Sequence, residues 1–179
     1  MKVLQKILIG LVIVVVLIVA IGYMLPANFT VQRTVVIHAK PAAIYPYVSN
    51  LKEGWTQWNP FAEQDTTIVL SYSGPDQGVG AGSSWTSKKM GEGTQTITQA
   101  DSNTGVESDL AFDHGQYKMH GVIVFTPVDG GTRVMWSNEG DWGKHHLMFR
   151  YMGLMMNKMM GKVLDKGLQN LKTKVEAKS

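Results

Sequence analysis

Five histidines are the chain's candidates for acid–base work, because imidazole changes charge near neutral pH. Their settings decide what each could do. His114 falls beside Gly115 in a two-residue turn, and His38 closes a β-branched segment, so both belong at the surface. His120 shares a strand face with Asp109 and Glu139, a row that reads as a solvated charge cluster rather than a catalytic triad. His145 and His146 stand near the start of a long helical stretch and could reach a cavity mouth there. A metal ion would want a third ligand beside them, and the sequence points to none. The chain has no Cys, hence no disulfide, thiolate site or thiol nucleophile. Gly78-Val-Gly-Ala-Gly82 precedes a strand, not a helix, and lacks the Lys-Ser/Thr of a nucleotide loop. It reads as a turn, and no cofactor is implied.

A second kind of chemistry, sequestering an apolar molecule, has more carriers. Met148, Met152, Met155 and Met159 follow i, i+4, i+7, i+11 spacing and form one helical stripe. Met156 and Met160 widen it, and Val163 or Leu164, then Leu168, Leu171 and Val175, carry it onward. Ordinary core packing explains the Leu/Val half. Thioether side chains adapt to irregular or changing contents, so the Met half reads as the lining of a cavity.

That stripe needs a wall to face. Phe29 to Ile37 reads as a strand, Ala42 to Val48 as a short helix opened by Pro41, and Leu51 to Phe61 as a continuation with Trp55 and Trp58 that Asn59-Pro60 stops. Thr66 to Glu139 reads as several antiparallel strands, and Gly143 to Ala177 as a helix. Turns at His114-Gly115 and Asp129-Gly130 pair Phe112 with Tyr117, Leu110 with Met119, Val106 and Trp136 with Ile123, and Phe125 with Val134. Cross-strand partners share a face. One face therefore collects these apolar residues, and the other collects Glu107, Asp109, Lys118, His120, Arg133 and Glu139. A four-residue turn at Asp101 to Thr104 adds Gln95, Ile97 and Gln99 to the apolar face. The parity of Trp85 stays open, because Lys89-Met90-Gly91 permits either. Ser108, Asn138, Gln95 and Gln99 put polar groups on the inward face, where they need each other, water or a ligand's polar end. The apolar face needs a cover, and the C-terminal helix is the only long candidate.

The N-terminus says where this happens. Ile7 to Leu25 carries no charge and at about 1.5 Å per residue extends roughly 28 Å, against a hydrocarbon core of about 30 Å. A cleaved secretory signal ending near Ala20-Ile21-Gly22 is the competing reading, but its apolar region would span only about 7–15 residues. The expected organisation is an anchor at 1–25, a linker at 26–28 and one α+β domain at 29–179. Lys2 and Lys6 favour leaving the N-terminus in the cytoplasm, which puts the domain on the outer side of a cytoplasmic membrane, with Tyr23 at the interface. The net charge of +3 is uneven: Lys144 to the C-terminus carries +6 and the rest −3. That is a solvated lysine face or a basic helix held against anionic head groups. Nucleic acid is not an expected partner, since the excess is small and no recognition motif accompanies it.

In order along the chain, the strand Arg33-Thr-Val-Val-Ile-His38-Ala39, Ile44-Tyr45, Trp55-Thr-Gln-Trp58-Asn59-Pro60, the glycine turn before Trp85, Gly91-Glu-Gly93, Pro127-Val-Asp-Gly-Gly-Thr-Arg-Val134 and Gly161-Lys-Val-Leu-Asp-Lys-Gly-Leu-Gln-Asn-Leu-Lys172 resemble the polyketide cyclase/dehydratase branch of the START-like (SRPBCC) superfamily. The resemblance covers about Phe29 to Glu176. It implies a helix-grip fold: a curved antiparallel sheet wrapped around a long C-terminal helix, a hydrophobic tunnel between them, and two short helices linking the first two strands.

Fold alone does not fix function, so three functions stand side by side. The first is membrane-tethered binding of a hydrophobic small molecule, such as a lipid or isoprenoid, by Phe112, Tyr117, Ile123, Trp136, Met148, Met152, Met155 and Met159. The second is a cyclase/dehydratase-type enzyme, which would lose turnover but not folding when a cavity polar group such as Asn138 is replaced. The third is a non-catalytic interaction module whose interior is simply filled.

Overall fold

The two turns that set the expected register form as the sequence indicates. In the computed structural model, which describes residues 2–141 and 147–178, strand β5 (Gly105–Phe112) pairs with β6 (Tyr117–Val128), matching Phe112 to Tyr117, Leu110 to Met119 and Val106 to Ile123. His114 and Gly115 hold φ of 53° and 86°, as the mirror-type turn that suits the twist of paired strands requires. β6 pairs with β7 (Gly131–Asp141), matching Ile123 to Trp136 and Phe125 to Val134. With β1 (Asn28–Ile37), β2 (Val69–Ser73), β3 (Gly82–Ser87) and β4 (Gly91–Asp101) they make one antiparallel sheet in the order β1-β7-β6-β5-β4-β3-β2. Helix α1 (Lys2–Met24) precedes the sheet. Helix α2 (Pro41–Ser49), a 3-10 turn at Trp55–Gln57 and α3 (Pro60–Gln64) link β1 to β2, and α4 (Leu147–Glu176) closes the chain. The α+β helix-grip architecture implied by the resemblance is the one observed.

Three local expectations are corrected. Asn59-Pro60 starts a helix rather than stopping one. The Asn59 side-chain oxygen accepts from the Phe61 N–H at 2.8 Å, and proline suits the first helical position because its missing N–H would have no partner there. Gln99 does not stay inward. The ladder slips by one residue between Ile97 and Gln99, and such a bulge turns every later side chain over. Gln95 and Ile97 keep the expected partners, Leu110 and Ser108, whereas Gln99 faces out and donates to Glu107 at 3.0 Å.

The third correction concerns α4. Leu164, Leu168, Leu171 and Val175 are fully buried against Val134, Trp136, Phe125 and the residues of β1. Met148, Met152, Met155 and Met159 are exposed, by 81, 45, 57 and 56 %. A helix turns about 100° per residue, so the five steps from Met159 to Leu164 swing roughly 140° around the axis. The methionine stripe and the leucine stripe therefore lie on opposite sides of one straight helix, and the inward line runs instead through Met156 and Met160 into Leu164.

Candidate functional site

Between the concave sheet and the α2–α3 segment lies a cavity of about 160 Å³. An engineered cavity of about 150 Å³ admits benzene, so this one takes a ring or the end of a chain. Its walls are mostly apolar. Ile123 and Trp136 form the floor, Leu110, Phe112 and Met119 one side, and Ile68, Leu70, Trp85 and Met90 the opposite side. Val48, Trp55 and Phe61 form the roof, and α4 contributes Met160. The indoles of Trp55, Trp58 and Trp136 meet edge to face with centroids 4.4–5.5 Å apart. This arrangement suits the ring quadrupoles and ties the roof to the floor. Trp58, itself buried, donates its indole N–H to the Tyr47 carbonyl at 2.8 Å.

The far wall is pinned by Asp65. Its buried carboxylate accepts from the Thr67 N–H at 2.8 Å, the Thr67 hydroxyl at 2.6 Å and the Ser87 hydroxyl. These bonds, led by that from Ser87, hold its pKa well below the usual carboxylate range against the opposing cost of desolvation. They lock the start of β2 to the β3–β4 turn, so that Ile68, Leu70, Trp85 and Met90 face inward together. The open parity of Trp85 resolves the same way. Trp85 pairs with Gly93, where a Cβ would strike the indole, and its ring meets Phe112 edge-on at 5.5 Å.

Polar groups in the cavity are amides and hydroxyls: Asn59, Ser83, Gln95, Ser108 and Asn138. Gln95 donates to Ser108 at 3.2 Å. Asn138 is buried beside Gly121, and no side-chain hydrogen bond of Asn138 exists among the described residues. No ionisable side chain of the described residues lines the cavity, so proton transfer inside it would fall to neutral groups. His120 lies on the outer face, with Nδ1 2.9 Å from Asp109 and Nε2 3.3 Å from Glu107. The hydrogen bond to Asp109 and the two nearby carboxylate charges raise its pKa above the ordinary imidazole value, against partial desolvation. His114 pairs with Glu92 in its turn and His38 with Glu176, both outside the cavity. His145 and His146 lie outside the described residues.

Of the residues expected to bind ligand, the structure brings Phe112, Ile123 and Trp136 together at the cavity. Tyr117 meets Phe149 of α4 edge-on, with ring centroids 5.2 Å apart, beyond the cavity wall. Met148, Met152, Met155 and Met159 face away from it, for the angular reason given above. Nothing in the sequence pattern marks the roof and far wall as lining. Trp55 and Trp58 of the 51–61 segment are the clearest sequence signal for the roof.

The segment 28–176 matches the family model described as polyketide cyclase/dehydrase and lipid transport. The chain belongs to that family. Solved structures share the family's fold at low identity. A protein from Chromobacterium violaceum is 17% identical, with a TM-score of 0.54 over 82% of this chain and 96% of that one. The KanY protein is 18% identical, with 0.58 over 83% and 98%. A protein from Mycobacterium smegmatis is 15% identical, with 0.56 over 84% and 93%. A comparison with curated proteins gave no match. For a cyclase/dehydrase and lipid transport fold the cavity is the natural place for a hydrophobic guest.

Proposed function

We propose that this chain is a membrane-tethered binding protein for a hydrophobic small molecule of lipid or isoprenoid type. The guest's apolar ring or chain end fills the space bounded by Trp85, Phe112, Met119, Ile123 and Trp136. Its polar end bonds Asn138 and the Ser108–Gln95 pair. The observation that carries this reading is an apolar cavity whose buried Asn138 amide has hydrogen-bonding capacity to spare, since a buried polar group costs free energy until it finds a partner. The neutrality of the wall favours holding over turning over, because general acid–base catalysis wants a titratable group within reach of the reacting atom. Helix α1 includes an uncharged run long and apolar enough to cross a membrane. With Lys2 and Lys6 before it, the tether holds the domain on the outer side of the cytoplasmic membrane. Confinement there raises the effective concentration of membrane-borne guests.

The test is native mass spectrometry of the full chain in detergent after exposure to membrane lipid extract. A stoichiometric adduct is expected from the unaltered protein. Leu110→Trp fills the cavity and abolishes the adduct while the unfolding midpoint holds. A clean apo mass in every condition would overturn the binding reading.

A further inference from the structure

The first ten residues of α4 carry a single charge, Arg150. Its Nη1 donates to the carbonyl oxygens of Tyr23 at 3.3 Å and Leu25 at 3.2 Å. The last carbonyls of a helix lack partners within it, so Arg150 caps the end of α1, where a cation also suits the helix dipole. The Tyr151 hydroxyl donates to the Ile18 carbonyl at 2.5 Å. Gly22 lets the two helices touch, since a Cβ there would stand 2.7 Å from Leu147 Cδ2. Ile18 lies about 9 Å along the axis from Met24, well inside the apolar run. The start of α4 is thus fixed against the span itself and not beyond its end.

What this stretch of α4 turns outward is apolar. Leu154 is exposed together with Met148, Met152, Met155 and Met159, and a contiguous patch of that kind on a protein surface marks an interaction site. At its far end the exposed side of the helix becomes basic, with Lys158 beside Met159 and Lys162 one turn beyond Lys158, both in the open. Apolar residues beside a membrane helix, bordered at their far end by lysines, fit the layering of a bilayer from acyl boundary to anionic head groups.

We propose that the outward face of α4 from Met148 to Met159 is a membrane-embedded surface. It lies in the acyl–headgroup boundary beside α1, and Lys158 and Lys162 engage anionic head groups. This rests on α1 crossing the bilayer. The methionine stripe then faces the lipid from outside the domain.

The absence of Cys makes single-cysteine labelling clean. The full chain is placed in vesicles of phosphatidylcholine and phosphatidylglycerol, and an environment-sensitive fluorophore is attached at Met148→Cys, Met155→Cys, Ile13→Cys or Asp129→Cys. Asp129 lies in the exposed β6–β7 turn, at the other end of β1 from the span. Lipids brominated on the acyl chain should quench most of the emission at Ile13, Met148 and Met155 and leave Asp129 bright. Quenching at Ile13 with Met148 and Met155 as bright as Asp129 would overturn this inference while the tether stands. No quenching at Ile13 would overturn the tether and the inference with it. Disulfide-linked dimers through Met155→Cys, shielded from the brominated lipid, would assign the face to a second copy of the chain and overturn the lipid assignment.

Discussion

The two halves of α4 have opposite surroundings, and the half with more apolar side chains, ten in residues 147–161 against five in residues 162–176, is the one whose stripe lies open. In the C-terminal half the apolar line of Leu164, Leu168, Leu171 and Val175 points at the sheet and is sealed from solvent. In the N-terminal half the sheet-facing direction holds Arg150, half-buried Gly153 and Met156, while Met148, Met152, Met155 and Met159 point out. A helix resting on one surface can seal only one stripe. An apolar stripe on the opposite side has to be satisfied by something that is not this domain. The difference teaches that one half of α4 is a piece of the core, and that the other is a joint between the domain and helix α1.

The largest effect that sharpens this contrast comes from truncation. Leu168→Ala should destabilise the domain by about 2–5 kcal/mol, the range for a fully buried leucine whose cavity cannot collapse. Met155→Ala in detergent should stay within about 0.5 kcal/mol, as exposed substitutions do. Denaturant unfolding of the two variants reads both, and equal losses would break the contrast. Next in size is Arg150→Ala. Its charged bonds to two carbonyls should be worth about 1.5–3 kcal/mol to the α1–α4 joint. The expected readout is faster amide exchange around residues 22–28, with the amides near Leu168 unchanged. If both regions loosen together, Arg150 belongs to the core and not to the joint.

What the sequence made legible follows from the range of each signal. The His114-Gly115 and Asp129-Gly130 turns are local, and each fixes a whole strand pair, so the pairing from Val106 to Trp136 was readable. The bulge after Ile97 leaves no residue-type mark, so alternation alone puts Gln99 on the wrong face. The methionine stripe was real, but periodicity states only that residues share a side, not what that side meets. Carrying the phase from Met159 to Leu164 separates the stripes; deciding which one the sheet takes requires the tertiary fold. The cavity roof of Trp55 and Phe61 and the far wall at Ile68 and Leu70 come from elements of three to five residues and the turns beside them, too short to show a period. The roof meets the sheet through long-range packing, and the far wall joins it as edge strand β2, paired with β3 and held by the Asp65 clasp.

The smallest effect is also the most selective, because it acts on one half of α4 alone. Glu176 pins the end of the buried half: its Oε1 accepts from the His38 N–H at 2.8 Å and lies 2.9 Å from His38 Nδ1. That backbone hydrogen bond chiefly lowers the pKa of Glu176, with the His38 ring and Lys172 adding to it against partial desolvation. A carboxylate whose folded pKa lies below its unfolded value of about 4.3 stabilises fully above that pH. The contribution is lost as the pH falls through the folded value. Acidification below about pH 4 should therefore release the His38 amide and fray the last turn of α4. Residues 147–157 contain no carboxylate, so the first turns should show no matching change across that window. Glu176→Gln should flatten the acid profile of the His38 amide in NMR titration. If the profile keeps its midpoint in that variant, the acid sensitivity arises elsewhere, and the buried half of α4 ends without the electrostatic pin that distinguishes it from the joint.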